Sequence, residues 1–227
     1  MLIYTHESCL RHDPGPGHPE SASRLQAVLE TLRGDRFGDA QFRQAPQATR
    51  EQLARVHDTA LIDQVFAAVP GDGYRRLDAD TVMSPDSLQA GLRAAGAVIA
   101  AVDALVDGES NRAFCAVRPP GHHATRRTAM GFCLFNSVAA GAAHALARGI
   151  ERVAIVDFDV HHGNGTQDIF YDEARVMYAS THQSPLYPGT GRREETGRGN
   201  IVNAPLPPGS GSAPFRQALE NIVLPAL

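Results

Sequence analysis

Cysteine is scarce. The chain has three, Cys9, Cys115 and Cys133, and neither their odd number nor their spacing makes a disulfide framework or a paired-thiolate metal site. A reducing compartment suits such a chain. Charge of one sign is nowhere concentrated. The 227 residues carry a formal net charge of −4 with no block of basic residues, which argues against an electrostatic nucleic-acid binder. An acidic tail is also absent. The segment Met1-Leu2-Ile3-Tyr4-Thr5-His6 has no basic stretch leading into a long apolar one, so no signal peptide is expected. The apolar stretches look too short to span a membrane. No Gly-rich phosphate-binding pattern sits between a strand and a helix, and there is no internal repeat or domain-sized linker. These absences leave a cytoplasmic, single-domain protein over residues 1–227.

What is present alternates strand and helix. Leu2-Ile3-Tyr4 reads as a first strand, followed by the Pro/Gly-rich loop Asp13–Pro19, which cannot be regular structure. Glu20–Leu32 has Leu25, Val28, Leu29 and Leu32 at helical spacing. A helix beginning at Thr49 with Gln52 as a capping box is expected to carry His57 as a structural histidine. Ser84-Pro85 starts a further helix running to Val106. Ala113–Val117 is the next strand, Ser137–Arg148 a small-residue helix, Val176–Ser180 another strand, and Ala213–Leu227 a terminal helix. This order predicts a three-layer α/β/α fold with a mostly parallel sheet.

The chain is organised around Arg152–Val156, a short β-branched run typical of a buried parallel strand, and the residues it delivers: Asp157-Phe158-Asp159-Val160-His161-His162-Gly163-Asn164-Gly165. In an extended backbone Asp157, Asp159 and His161 share one side. Carboxylate oxygen and imidazole nitrogen together suit zinc or a similar divalent ion. Ligands of open α/β sheets also bind beyond the carboxyl ends of the strands. A second chemical segment, Arg118-Pro119-Pro120-Gly121-His122-His123-Ala124, follows the strand at 113–117. Two prolines and a glycine hold its adjacent histidines in different environments, making a candidate acid/base pair. Gly131-Phe132 reads equally as a ligand wall or as core packing.

These segments, with Gly131-Phe132-Cys133-Leu134-Phe135-Asn136 and Tyr187-Pro188-Gly189-Thr190-Gly191, resemble the signature set of the zinc-dependent histone deacetylase family. That family includes bacterial histone-deacetylase-like amidohydrolases and acetylpolyamine amidohydrolases on the arginase/deacetylase fold. Phe158 and Asn164 are closer to its class II branch. The resemblance implies Asp159 and His161 as ligands of one zinc ion per chain. It implies His122 and His123 as the catalytic histidines, with Asp157 orienting His122 and Asn164 orienting His123. Gly131, Phe132 and Tyr187 would wall the acyl-lysine tunnel, and Arg24 would line an internal channel behind it. Asp157, Asp159, His161, Ser180 and Thr181 fall on the family's structural potassium site.

The implied reaction is hydrolysis of an acetylated amine, either an acetyl-lysine peptide or a small acetylpolyamine-type amide, to acetate and free amine. No nucleic acid or membrane is expected as a partner, and a second copy of the chain is an open option. The family's third zinc ligand, an aspartate in a Ser-Ala-Gly-Phe-Asp-type segment, and its Gly-Gly-Tyr tyrosine have no counterpart here. The domain is therefore expected to be incomplete at its C-terminal side, and a non-catalytic binding or regulatory module is the alternative. A binuclear manganese ureohydrolase fits less well, because that family resembles Asp-x-His-x-Asp rather than Asp157-x-Asp159-x-His161-His162.

Overall fold

The computed structural model describes residues 1–227. Strand β1 (Leu2–Thr5) is followed by a one-turn helix α1 (Ser8–Arg11), the rim loop 12–20, and α2 (Ala22–Leu32). Helix α2 buries Leu25, Leu29 and Leu32 and leaves Val28 half-exposed. Strand β2 (Gln41–Gln44), which no hydrophobic alternation announces, pairs in parallel with β1. Helix α3 (Arg50–Ala54) opens with the expected capping box of Thr49 and Gln52. It ends early, and α4 (Thr59–Ala67) restarts after a break that contains His57. His57 is therefore not helical. Its ring is fully buried, with Nδ1 donating to the Thr125 carbonyl (2.9 Å) and Nε2 accepting from the Asn136 amide (2.9 Å).

A small hairpin of β3 (Arg75–Arg76) and β4 (Val82–Met83) precedes the long helix α5 (Ser87–Val106). Ser84 does not cap α5 from one residue before it; its hydroxyl accepts from the Asp13 amide and bonds Ser87. Contrary to the sequence expectation, α5 is long and apolar enough to cross a membrane, but it is a core helix with more than half of its residues buried. Its small residues explain the packing. A Cβ on Gly96 would run into the Pro46 carbonyl, and one on Gly141 of α6 (Ser137–Ala147) would run into Val98. The two helices thus lie close together, as ridges of small residues allow.

Two parallel three-stranded sheets carry the layers. One has the order β2–β1–β5, with β5 spanning Ala113–Cys115. The other has the order β6–β7–β8, from β6 (Val153–Asp157), β7 (Val176–Gln183) and β8 (Ile201–Leu206), with α7 (Asn164–Phe170) crossing between the first two. The expected single sheet is thus two half-sheets whose edge strands β5 and β6 flank a cleft of about 570 Å³. The largest apolar cluster joins α3–α6 to the β6–β7–β8 sheet through Leu53, Ile99, Phe135 and Tyr178. The terminal segment starts as α8 (Ser212–Ala218) and then loosens into π and 3-10 turns.

A buried ion pair ties the rim loop to the segment after β5. Glu20 accepts from Arg118 through both oxygens (2.5 and 2.7 Å), and Arg118 also donates to the carbonyls of Cys9 and His12. Burial pushes the Glu20 carboxyl up, but hydrogen bonds from His12 and Arg118 and the guanidinium charge outweigh it and hold the pKa at about 2. Burial pulls His57 down to about 4, against partial support from the Thr125 carbonyl. Both depressed values stabilise the fold on the alkaline side. The His57 contribution is complete above the ordinary 6.5 and drains as pH falls toward 4; that of Glu20 is complete above 4.5 and drains toward 2. Each shift amounts to roughly 3 kcal/mol. Thermal midpoints measured from pH 8 downward should start to fall below about 6.5 and fall again below about 4.5. His57→Gln should make the first decline shallower without abolishing it, because His123 and His162 are also lowered to about 4.

Candidate active site

The site forms where two chain segments end. After β5, the stretch Arg118–Ala124 runs to the buried Ala124, and Gly121 lets it press against the start of α6, where a Cβ would lie 2.6 Å from the Ser137 nitrogen. After β6, the chain leaves the sheet at Asp157 and turns twice. Asp157 Oδ1 accepts from the Asp159 amide (3.1 Å), and Asp159 Oδ1 accepts from the His161 amide (2.8 Å). The extended alternation expected for 157–161 therefore gives way to two successive carboxylate-capped turns, the usual work of Asp in a loop. Gly165 holds the two segments together, since any Cβ there would strike the Ala124 carbonyl.

The tandem histidines acquire different partners, as their adjacency on a stiff loop requires. His122 Nδ1 lies 2.9 Å from Asp157 Oδ2, and His123 Nδ1 lies 2.8 Å from Asn164 Oδ1. Their rings are 4.0 Å apart. Burial lowers the proton affinity of His122, but the hydrogen bond and charge of Asp157 more than reverse this and raise its pKa. For His123 burial dominates and the neighbouring His122 adds to it, so the pKa falls to about 4. His123 is thus neutral at pH 7. With Nδ1–H donating to Asn164, its Nε2 keeps a free lone pair. Gly131, at φ 58°, lies flat on this ring, where a Cβ would come within 2.5 Å of His123 Cδ2.

Tyr187 packs edge-on to both His123 (5.1 Å between centroids) and His161 (6.0 Å), and the rings of His123 and His161 are 5.8 Å apart. Three of the residues singled out in the sequence therefore converge. Phe132 stands at φ 70°, its amide donating to the buried Thr81 hydroxyl and its ring edge-on to His18 at 4.6 Å. A bulky residue in left-handed backbone is uncommon; the Thr81 hydrogen bond holds Phe132 there, and its side chain is only partly buried. Thr81 and His18 were not singled out by the sequence.

Asp159 and His161 lie side by side, 3.3 Å between Oδ1 and Nδ1, both substantially exposed. Their donor atoms are of the kind zinc takes, but no three His, Cys, Asp or Glu side chains gather to hold an ion. A catalytic zinc takes three protein ligands, so the side chains of this chain by themselves do not complete one. Ser180 pairs in register with Asp157 across β6 and β7, and the Thr181 hydroxyl is buried without a hydrogen-bond partner. Arg24 is exposed and lines a cleft of about 230 Å³ with Arg118, Cys115 and Pro120. That cleft shares Cys115, Val117 and Pro120 with the larger one between the half-sheets, which His122, Asp157 and Asp159 also line.

Two histidines outside the expected set build the support. His162 is buried, with Nδ1 2.8 Å from the Thr190 hydroxyl and Nε2 3.1 Å from Gln167 Oε1. His182 Nε2 donates to the Gly191 carbonyl (2.9 Å) and its Nδ1 accepts from Ser180. Together they anchor the Gly-rich loop that carries Tyr187. Gly191, at φ 86°, leaves no room for more, since a Cβ there would sit 2.6 Å from both His162 and His182. Gly191→Val should therefore lower the thermal midpoint and free Tyr187, seen as loss of its edge contact with His123 in ring-proton shifts.

A family model described as "Histone deacetylase domain" matches residues 18–227. The chain is 38% identical to a probable deacetylase of Archaeoglobus fulgidus over 99% of its length and 64% of that protein's. It is 39% identical to the histone deacetylase-like amidohydrolase of Pseudomonas aeruginosa over 97% of its length and 64% of that protein's. Among solved structures, the HD domain of HDA15 superposes with a TM-score of 0.93 at 35% identity, covering 99% of this chain and 67% of that one. The chain thus spans under two thirds of the length of those two relatives. With the motifs in order, the three-layer α/β architecture and a match over nearly its whole length, the chain belongs to the histone deacetylase domain family.

Proposed function

We propose that the chain carries the acid/base half of a deacetylase site, acting on acetylated amines such as an acetyl-lysine peptide or a small acetylpolyamine-type amide. The observation that supports this most is the divergence of the two histidines: adjacent in sequence, one is paired with a carboxylate and the other with an amide. Environments that push two like groups apart in proton affinity assign acid and base roles. His123, neutral with its Nε2 lone pair free, takes the proton of the attacking water and returns it to the leaving amine. His122, held by Asp157, which raises its proton affinity, serves as an electrostatic helper beside the developing oxyanion. Gly131, Phe132 and Tyr187 border the acyl chain.

Asp159 and His161 are proposed as zinc donors, and a structural potassium ion at Asp157, Asp159, His161, Ser180 and Thr181 rests on the family resemblance alone. Because only two zinc donors are present, no step is assigned to the metal. Calorimetric titration of zinc into the chain is expected to show weak one-to-one binding that Asp159→Ala abolishes. Tight binding would mean that a donor outside this pair takes part.

The short donor set favours a second reading, a module that holds an acylated ligand without turnover. Acetate release from an acetyl-lysine peptide by the chain, abolished by His123→Ala, decides for hydrolysis. Peptide binding with no release, unaffected by His123→Ala, decides for the module. Cytoplasmic residence and a second copy as partner are carried as further proposals, to be checked by fractionation and by light scattering.

A further inference from the structure

One buried hydroxyl reaches the His122–Asp157 pair from below and has no place in the reaction as described. Tyr178 lies near the start of β7, completely buried. It pairs in register with Ile155 of β6, so Asp157, two residues along, projects to the same face of the sheet. The phenol hydroxyl donates to Asp157 Oδ2 at 3.0 Å and accepts from the Gly163 amide at 3.0 Å. Asp157 Oδ2 is the same oxygen that lies 2.9 Å from His122 Nδ1. The other oxygen, Oδ1, accepts from the Asp159 amide. Both oxygens of this carboxylate are therefore engaged. The space around it is closed as well: a Cβ on Gly163 would overlap Asp157 Oδ2, lie 2.5 Å from the Tyr178 oxygen and lie 3.0 Å from His122 Nδ1.

We propose that Tyr178 is a positioning residue for His122: its hydroxyl fixes the rotation of the Asp157 carboxylate and shares Oδ2 with the imidazole. A phenylalanine would fill the same space in the sheet core, so packing alone does not account for the oxygen. A buried hydroxyl must find partners, and this one finds two that belong to the turn and the carboxylate on which His122 depends. Networks of this kind polarise along their length. Removing one donor from a shared oxygen makes that oxygen a stronger acceptor for the donor that remains. The catalytic consequence rests on the hydrolase reading given above; the hydrogen-bond geometry does not.

The test is the low-field proton resonance of His122 Nδ1–H in the 227-residue protein, labelled with ¹⁵N-histidine and assigned by its loss in His122→Ala. Tyr178→Phe should move this resonance downfield. Site-specific replacement of Tyr178 by a ring-fluorinated tyrosine, which keeps the hydroxyl and donates more strongly, should move it upfield and serves as the second variant if Tyr178→Phe unfolds the sheet. Where the chain turns over an acetyl-lysine peptide, Tyr178→Phe should lower kcat by about 10- to 100-fold, the range known for hydrogen-bond partners that orient the ligands of metal sites, with KM unchanged. An unmoved resonance in both variants overturns the proposal and leaves Tyr178 as packing. A moved resonance in a chain that releases no acetate upholds the positioning role and counts against the hydrolase reading instead.

Discussion

Replacing His123 with alanine is expected to lower the rate of acetate release by roughly 10²- to 10⁴-fold, the usual worth of a positioned acid/base group, while KM changes little. The expectation follows from three features of this side chain. Its Nδ1 is tied to Asn164 Oδ1 at 2.8 Å, which fixes the tautomer and leaves Nε2 as the acceptor. Burial and the neighbouring His122 hold its pKa near 4, so the base form prevails at pH 7. The ring is clamped between Gly131 and Tyr187, so an alanine removes the group without a larger rearrangement. Asn164→Asp gives a second reading of the same geometry. A carboxylate in place of the amide favours the imidazolium, raising the His123 pKa and moving the acid limb of the pH–rate profile to higher pH. An unchanged rate in His123→Ala would remove this residue from the chemistry.

Much of this arrangement was legible in the sequence because the ends of parallel strands leave few options. The apolar run 153–156 and the carboxylates that follow it specify a strand and its exit, and the Pro-Pro-Gly run before His122 specifies a stiff approach. The capping box at Thr49 was equally readable, since it is a local pattern. What escaped notice depends on contacts distant in sequence. Strand β2 has polar residues and exists because β1 offers it an edge. His57 looks helical by periodicity but is drawn out of the helix by the Thr125 carbonyl and the Asn136 amide, 68 and 79 residues away. The alternation that places Asp157, Asp159 and His161 on one side fails once each carboxylate caps the amide two residues on. Tyr178 was hidden for a different reason. As a strand residue it reads as core, and only the register of β6 with β7 brings its hydroxyl to Asp157.

The buried pair of Glu20 and Arg118 carries the largest expected effect on stability. Glu20→Ala leaves a guanidinium that is only 5% exposed without its carboxylate. Breaking a buried pair from one side costs about 3–5 kcal/mol, because the remaining charge stays desolvated and unpaired. For a domain with the usual 5–15 kcal/mol of stability, that is a large share of the total, and chemical denaturation should register it as a lower midpoint with an unchanged slope. The double variant Glu20→Met, Arg118→Met should recover much of the loss, since it removes both charges from the interior together. The recovery should stay incomplete. Arg118 also donates to the carbonyls of Cys9 and His12, and a methionine leaves those acceptors with nothing. Arg118 opens the segment that ends in His122 and His123, so the same pair fastens the rim loop 12–20 to the histidine segment. A double variant as stable as the original chain would show that the two carbonyls find other donors and that the pair contributes specificity of arrangement rather than net stability.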